Sequence, residues 1–165
     1  PSETVNEETI RPALAQAWRS FIDYNPNNGV LAMATQLGET LEIYNLKDST
    51  HKILYGPEGE PLFKTGKNGL GIPNGIMGFC DIKVTREHIY AVFQGIKFKD
   101  KMSAYQQGQE PEDGGRFIYV FDLQGNPVCK YTLDHAIYGI DINEETNTIV
   151  ATEVESDNPI IEFKI

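Results

Sequence analysis

The fold is decided by residues 79–93, which read FCDIKVTREHIYAVF. Two apolar segments flank a short polar turn here, a pattern typical of a β-hairpin. Related stretches occur at 21–35 and 139–152, each with an aspartate in its first segment and an alanine 10 or 11 residues later. The repeated aspartates are Asp23, Asp81 and Asp141. Self-similarity at a regular spacing predicts a repeat protein.

Each repeat continues as a meander of antiparallel strands. A third apolar strand follows all three hairpins, and a fourth strand follows the first two. The predicted fold is therefore all-β, with about three four-stranded antiparallel meanders that form blades of a β-propeller. We expect a single partial propeller domain over residues 1–165. Its blades are expected at 19–56, 78–133 and 137–165.

Two long loops are expected to interrupt the blades. The repeats start 58 and 60 residues apart, whereas simple blades take roughly 40–45 residues. The excess falls at 56–78, which is rich in Gly and Pro, and at 95–115. Helical spacing occurs only near the N-terminus, where apolar residues four apart between Ile10 and Trp18 predict a short helix with Asn6 as its N-cap.

The composition is acidic. Among 165 residues, 14 Lys and Arg stand against 24 Asp and Glu, which gives a formal net charge of −10. This charge argues against nucleic-acid binding and against docking on an anionic membrane, because both need clustered Lys and Arg. No stretch has the pattern of a signal peptide or a membrane span. Cys80 and Cys129 lie in apolar strands, so we expect both to be small buried side chains, with a single disulfide as the alternative.

Several motifs in residues 78–165 have the order and spacing of a known family. They are Phe79-x-Asp81-Ile82-x-Val84-Thr85, Ile118-Tyr119-Val120-Phe121-Asp122, Gly125-Asn126-Pro127-Val128, Ile140-Asp141 and Ile160-Ile161-x-Phe163. In these motifs the segment resembles the C-terminal blades of the TolB-like six-bladed β-propellers of Bacteroidetes. The resemblance implies that the chain is the C-terminal half of a six-bladed ring, and that it is exported to the periplasm or cell surface. It brings no catalytic motif, and we predict no cofactor.

Half of a propeller would leave a blade face uncovered on each side. Uncovered apolar faces and free strand edges favour association. We therefore expect either self-association, as a face-to-face homodimer that approximates a six-bladed ring, or association with a missing N-terminal half. The segment from Glu3 to Asn6 is the candidate for the strand that seals the last blade.

The repeated aspartates Asp23, Asp81 and Asp141 are weak candidates for metal ligands. Six-bladed propeller hydrolases such as lactonases place metal-binding carboxylates near the central channel. However, equivalent positions in a repeat are expected to be structural, each carboxylate accepting hydrogen bonds from a neighbouring blade. The additional ligands that a metal needs are not visible in the sequence. We therefore favour the structural interpretation and predict no metal and no catalytic residue.

The two insertions carry the predicted binding site, because long loops on a rigid scaffold bind ligands more often than strands do. The candidate contact residues are Phe63, Lys64, Lys67, Asn68, Asn74, Lys97, Lys99, Lys101 and Tyr105. The run 97–101 is locally basic on an acidic protein. The alternative is a solvated loop without a binding role.

The sequence thus predicts a non-enzymatic propeller module that binds a protein, peptide or glycan through its loops. A first alternative is a propeller enzyme, a hydrolase or lyase, with its site at the central channel. A second alternative is a structural half-domain without a site of its own.

Overall fold

The computed structural model describes residues 11–66, 70–153 and 157–165. The two helices in these ranges are α1 (Arg11–Ala17) and α2 (Phe98–Gln106). The strands are β1 (Ser20–Asn25), β2 (Val30–Thr35), β3 (Thr40–Asn45), β4 (Thr50–Tyr55), β5 (Phe63–Thr65), β6 (Gly71–Pro73), β7 (Phe79–Val84), β8 (His88–Phe93), β9 (Gly115–Asp122), β10 (Pro127–Ile137), β11 (Ile140–Asn143), β12 (Thr148–Thr152) and β13 (Ile160–Lys164).

Three sheets follow one another along the chain. Blade 1 contains β1–β4, blade 2 contains β7–β10 and blade 3 contains β11–β13, each in sequential strand order. All neighbouring strands pair antiparallel. The predicted all-β fold of propeller-type meanders is confirmed, and the third sheet has three strands in the part of the chain that the structure describes.

The hairpin turns contain the residues that their backbone geometry requires. Between β1 and β2, the side chains of Asn25 and Asn28 accept N–H groups two residues ahead. Gly29 then adopts a φ of 77°, in the left-handed region that costs glycine little. In the β11–β12 turn Asn147 takes a similar position with a φ of 51°, which Asn tolerates better than most residues.

Two apolar layers hold the three blades together. Side chains alternate across a strand, so in β8 Ile89, Ala91 and Phe93 face blade 1, whereas Tyr90 and Val92 face blade 3. The layer between blades 1 and 2 includes Val30, Ala32, Leu41, Ile43, Ile82, Ile89, Ala91 and Phe93. The layer between blades 2 and 3 includes Val92, Ile118, Val120, Ile140, Ile149 and Ala151. Blade 2 therefore buries both of its faces, and blades 1 and 3 bury one face each.

The meander topology sorts the connections onto two ends of the blades. One end has the short turns 26–29, 46–49, 85–87, 123–126 and 144–147. The other end, called the insertion end below, has α1, the β2–β3 turn and both long insertions. Long connections on one side of a rigid set of sheets are the usual arrangement of a binding surface.

Both insertions have more structure than the loops that the sequence suggests. The first contains a hairpin of β5 and β6. The second contains α2, which has neither Gly nor Pro and lies between Gly95 (φ 71°) and Gly108 (φ 72°). Phe98, Met102 and Tyr105 have helical i, i+4, i+7 spacing, but no residue of α2 is buried. The helical pattern is easily overlooked because it does not mark a core-facing stripe.

The short N-terminal helix is confirmed as α1, in which Ala13 and Ala17 are buried. Pro12 falls in its first turn, where a missing N–H costs little. The predicted N-cap Asn6 and the predicted sealing strand at 3–6 lie outside the described residues. No helix in the described ranges is long and apolar enough to cross a membrane.

The two cysteines occupy different environments. Both are free thiols, with Cys80 buried and Cys129 exposed. The expectation that both are buried is wrong for Cys129, because β10 is the outermost strand of blade 2 and its first four residues are exposed. Burial raises the pKa of the Cys80 thiol to about 12.

Candidate functional site

Main-chain hydrogen bonds join the two insertions at the insertion end. The Met77 N–H donates to Ile96 O (2.8 Å), and the Phe98 N–H donates to Gly75 O (2.9 Å). An isolated β-bridge pairs Ile76 with Lys97. The two insertions therefore form a single surface, although a complete hairpin separates them in sequence.

Helix α1 anchors the first insertion to blade 1. The Gly71 N–H donates to Gln16 Oε1 (3.1 Å). A Cβ atom at Gly71 would lie 2.9 Å from the Ala13 carbonyl oxygen, so this contact between β6 and α1 requires glycine.

A small cavity of about 210 Å³ opens between these elements. Phe63 from the first insertion and Phe98 from the second line it, together with Arg19 and Gln36 of blade 1. Small-molecule sites usually have volumes of about 300–1,000 Å³. This cavity is smaller, and its size suits one side chain of a partner.

Large apolar side chains on both insertions are exposed. Leu62 and Ile72 of the first insertion expose 55% and 51% of their surface, and Met102 and Tyr105 of α2 expose 39% and 47%. Scattered exposed hydrophobics are ordinary, but a concentration of them on one surface is typical of interaction sites.

The structure leaves fewer free positive charges in the predicted basic run 97–101 than its sequence suggests. The Lys101 ammonium forms an ion pair with Asp113, and only 11% of the Lys101 side chain is exposed. Burial would raise the pKa of Asp113, but hydrogen bonds from Lys101 and Tyr138 outweigh it and lower the pKa. Lys101 thus fixes α2 to the segment before β9. Lys97 and Lys99 remain exposed.

The other predicted contact residues are placed as follows. Phe63 is partly buried and lines the cavity, whereas Lys64 and Asn74 are exposed on the first insertion and do not line it. Tyr105 is half-exposed on α2. Lys67 and Asn68 lie outside the described residues.

Two of the three repeated aspartates link neighbouring blades. Asp23 Oδ2 accepts the Val84 N–H (2.7 Å), and Asp81 Oδ2 accepts the Ile140 N–H (2.8 Å). Burial raises the pKa of Asp81, although the N–H groups of Ile140 and Ile82 oppose that shift. Asp141 is exposed on the free face of blade 3. No three His, Cys, Asp or Glu side chains come together as a metal site within the described parts of the chain.

Comparison with known proteins identifies the family. A family model described as TolB-like 6-blade propeller-like matches residues 1–145. The chain belongs to this family. The match of this TolB-like protein covers all of blades 1 and 2 and the first strand of blade 3.

The TolB-like chain is similar to two solved structures, and the first of them supports its fold. One is the crystal structure of the Cps50 (Swd1) β-propeller domain of Myceliophteria thermophila, with a TM-score of 0.50, 13% identity, and coverage of 89% of this chain and 37% of that chain. Another is the mitotic checkpoint complex, with a TM-score of 0.31, 10% identity, and coverage of 87% and 60%. The chain thus spans less than two thirds of either structure. No curated protein sequence matches it.

Sequence reasoning missed part of the insertion end of this TolB-like protein. Arg19 precedes β1 and Gln36 follows β2, yet both line the cavity with Phe63 and Phe98. The signal was available, because in a meander the start of the first strand and the turn after the second lie at the same end. Long-range contacts such as the ion pair of Lys101 have no comparable signal.

Proposed function

We propose that this TolB-like propeller is a non-enzymatic module that binds a protein or peptide partner at its insertion end. The observation that carries the proposal is the exposed apolar surface on two insertions that are hydrogen-bonded to each other. The propeller fold of the family provides the rigid support, and the insertions provide the contact residues. Export to the periplasm or cell surface, which the family resemblance implies, is part of the proposal.

The exposed residues at the insertion end indicate what kind of partner would bind there. Ile72 and Leu62 offer aliphatic contact area, and Met102 adapts to irregular apolar shapes. Tyr105 supplies a rigid amphipathic ring of the kind that is enriched at binding hot spots. Lys97 and Lys99 lie in the same insertion and favour acidic groups in the partner. We therefore expect a segment with apolar anchor residues flanked by Asp or Glu.

A peptide-display experiment tests this function. The full chain is panned against a phage library of random linear peptides, in parallel with an Ile72→Ser/Met102→Ser variant and a Leu46→Ser control. Leu46 is 58% exposed and lies in the short turn 46–49 at the other end of the blades, so the control removes an exposed aliphatic side chain far from the insertions. We expect enriched peptides with apolar and acidic residues that bind wild type and control but not the double variant.

Two results would contradict the proposal. One is the absence of any enriched peptide family on the folded wild-type protein. The other is an enriched family that binds the double variant as well as it binds wild type. Replacement of Lys97 and Lys99 by Ser tests the charged part separately, and we expect it to weaken binding and to reduce its salt dependence.

We also propose that the protein self-associates or packs against a further sheet. Blade 1 buries only the face directed at blade 2, and its other face exposes Ile22, Tyr24, Ile53 and Tyr55. An apolar sheet face of this kind is stabilised when another sheet covers it.

A further inference from the structure

A cleft of about 470 Å³ lies between the outer strands of blades 1 and 2. Leu54 of β4 and Val128 of β10 form opposite walls, and Tyr119 and Phe121 of β9 also line it. Its volume is within the usual range for small-molecule sites, about 300–1,000 Å³, and its walls are mostly apolar, as such sites generally are. The cleft lies apart from the cavity of about 210 Å³ at the insertion end, because no residue lines both.

Glu39 contributes the only acidic side chain among the described residues that line the cleft. The residue is 8% exposed, and its Oε2 accepts the Glu58 N–H at 3.3 Å. The Tyr119 hydroxyl is its second hydrogen-bond partner. The chain closes tightly around this carboxylate, since a Cβ atom at Gly56 would lie 2.0 Å from Glu39 Cδ.

The charge of Glu39 lacks a counterion in the described parts of the chain, where its partners are a backbone N–H and a phenol. Lys130 is the only cation among the described residues that line the cleft. Its Nζ lies over two rings, 3.8 Å from the Phe117 centroid and 5.3 Å from the Tyr119 centroid. A carboxylate offers about four acceptor sites, so two partners leave sites free for a ligand. A buried charge without a counterion is costly, and a bound cation would remove that cost.

From this charge complementarity we propose that the cleft binds a small organic ammonium ion with an apolar, aryl-bearing body. The ammonium group donates to the Glu39 carboxylate, and the aryl group packs on Leu54 and the rings of Tyr119 and Phe121. Burial, together with Glu39, raises the pKa of Tyr119 to about 12. The phenol therefore stays protonated at neutral pH and holds the carboxylate in place as a hydrogen-bond donor. This proposal goes beyond partner binding at the insertion end and does not depend on it.

Ligand binding to the cleft is measured directly. Cys129 pairs with Val120, whose side chain faces blade 3, and residues paired across two strands share a face of the sheet. The Cys129 thiol therefore lies on the other face of β10 and does not report on the cleft. Isothermal titration calorimetry of the full chain needs no reporter group.

The calorimetric experiment compares three probes on the full chain. These are 2-phenylethylammonium, the neutral 2-phenylethanol and the anionic 3-phenylpropionate. We expect saturable binding of the ammonium ion and about tenfold weaker binding of the alcohol, since a charge-assisted hydrogen bond adds roughly that factor. The anion is expected not to bind.

Two variants and a matched control assign the effect to the cleft. Glu39→Gln keeps the side-chain shape and should weaken ammonium binding about tenfold while leaving alcohol binding unchanged. The control Glu42→Gln removes a partly buried carboxylate that accepts the Tyr44 hydroxyl at 2.6 Å, a similar carboxylate–phenol pair on the opposite face of β3, and should change neither. Val128→Trp fills the cleft from an exposed position and should abolish binding of both probes without unfolding the protein.

The proposal is overturned by equal affinities for the ammonium ion and the alcohol, or by binding that persists in Val128→Trp. It is also overturned if titration with the ammonium ion shows no saturable binding. If Glu39→Gln does not fold, the Val128→Trp variant and the comparison of the three probes still show whether the cleft binds the ammonium ion. None of these measurements involves the insertion end, so their failure leaves the proposed peptide binding unaffected.

Discussion

At the scale of single residues, Asp81 is the clearest case of a side chain that holds two blades together. Its carboxylate accepts the Ile140 N–H at 2.8 Å, so Asp81→Ala leaves a partly buried donor without an acceptor. We expect the free energy of unfolding to fall by about 1–3 kcal/mol, measured by urea denaturation at neutral pH.

Asp141 provides the matched control for this substitution. It occupies the same place in the repeat, but it is exposed on blade 3, so Asp141→Ala should cost less than about 0.5 kcal/mol. If the aspartates instead acted together as metal ligands, both substitutions would abolish stabilisation by added Ca²⁺ or Zn²⁺. Equal losses of stability for the two variants would contradict the structural role.

The pair of Lys101 and Asp113 makes stability depend on pH. The pKa of Asp113 is lowered from its ordinary value of 3.8 in the folded protein. A carboxyl group with a lowered folded pKa stabilises the protein above its unfolded pKa, and this contribution is lost as the pH falls through the folded value. We expect Lys101→Met to lower stability by roughly 1–2 kcal/mol at pH 7, and the difference from wild type to shrink below pH 3.8.

Thermal unfolding measured from pH 7 down to the acid range tests this expectation. Lys99→Met is the matched control, because Lys99 is exposed on the same helix and should change the melting temperature little at any pH. A difference between Lys101→Met and wild type that stays constant in acid would mean that the ion pair does not supply the stability.

At the scale of elements, Gly78 is where the chain enters blade 2 beneath the β2–β3 turn. Its N–H donates to Gln36 O at 2.7 Å, and a Cβ atom there would lie 2.2 Å from the Gly38 carbonyl oxygen. Gly78→Ala must push two backbone segments apart, and we expect a loss of roughly 2–4 kcal/mol in the free energy of unfolding.

Gly139 begins blade 3 in the corresponding place and serves as the control. A Cβ atom there would lie 3.3 Å from Thr152 Oγ1, a contact that a small side-chain movement can relieve. Gly139→Ala should therefore cost much less than Gly78→Ala in the same denaturation experiment, and a comparable loss would show that the close approach at Gly78 is not rigid.

The meanders were predictable because their signals are local. Alternating apolar residues and the Asn and Gly of the turns at 26–29 and 144–147 are enough to define hairpins. The sequence did not indicate helix α2, because the side chains of Phe98, Met102 and Tyr105 do not enter the core and helical spacing is recognisable mainly as a core-facing apolar stripe.

The candidate sites were predictable only in part, because sequence signals are local and several contacts in these sites join distant segments. Topology alone places both insertions at one end, so the exposure of Lys97 and Lys99 could be foreseen. The pairing of Lys101 with Asp113 and that of Glu39 with Tyr119 depend on contacts between segments distant in sequence. No local sequence pattern indicates such contacts, and the charge composition does not show which charged residues form pairs.

At the scale of the whole molecule, the two free faces differ in chemistry. Cross-strand rows on the free face of blade 1 consist of Tyr24, Leu31, Tyr44 and His51 and of Ile22, Met33, Glu42 and Ile53. The corresponding rows on blade 3 consist of Asp141, Val150 and Glu162 and of Asn143, Thr148 and Lys164. The first face is largely apolar and aromatic, and the second is polar.

This asymmetry determines how two copies would associate. A ring-like dimer needs blade 1 of each copy to meet blade 3 of the other, which would press an apolar face against a polar one and leave charges unpaired. An isologous dimer joins the two apolar faces of blade 1 about a two-fold axis and leaves blade 3 in water. We therefore expect the second arrangement, with blade 1 on blade 1.

Sedimentation velocity over a range of concentrations distinguishes the two arrangements. We expect wild type to shift reversibly from its 18.5 kDa monomer towards a dimer, and Ile22→Lys/Ile53→Lys to remain monomeric with an unchanged fold, because both side chains are exposed in the monomer. Val150→Lys alters only the blade 3 face and should leave the isologous dimer intact, whereas it would break a ring-like dimer. If Val150→Lys dissociates the dimer, the ring-like arrangement is supported instead. If Ile22→Lys/Ile53→Lys still dimerises, blade 1 is excluded as the interface.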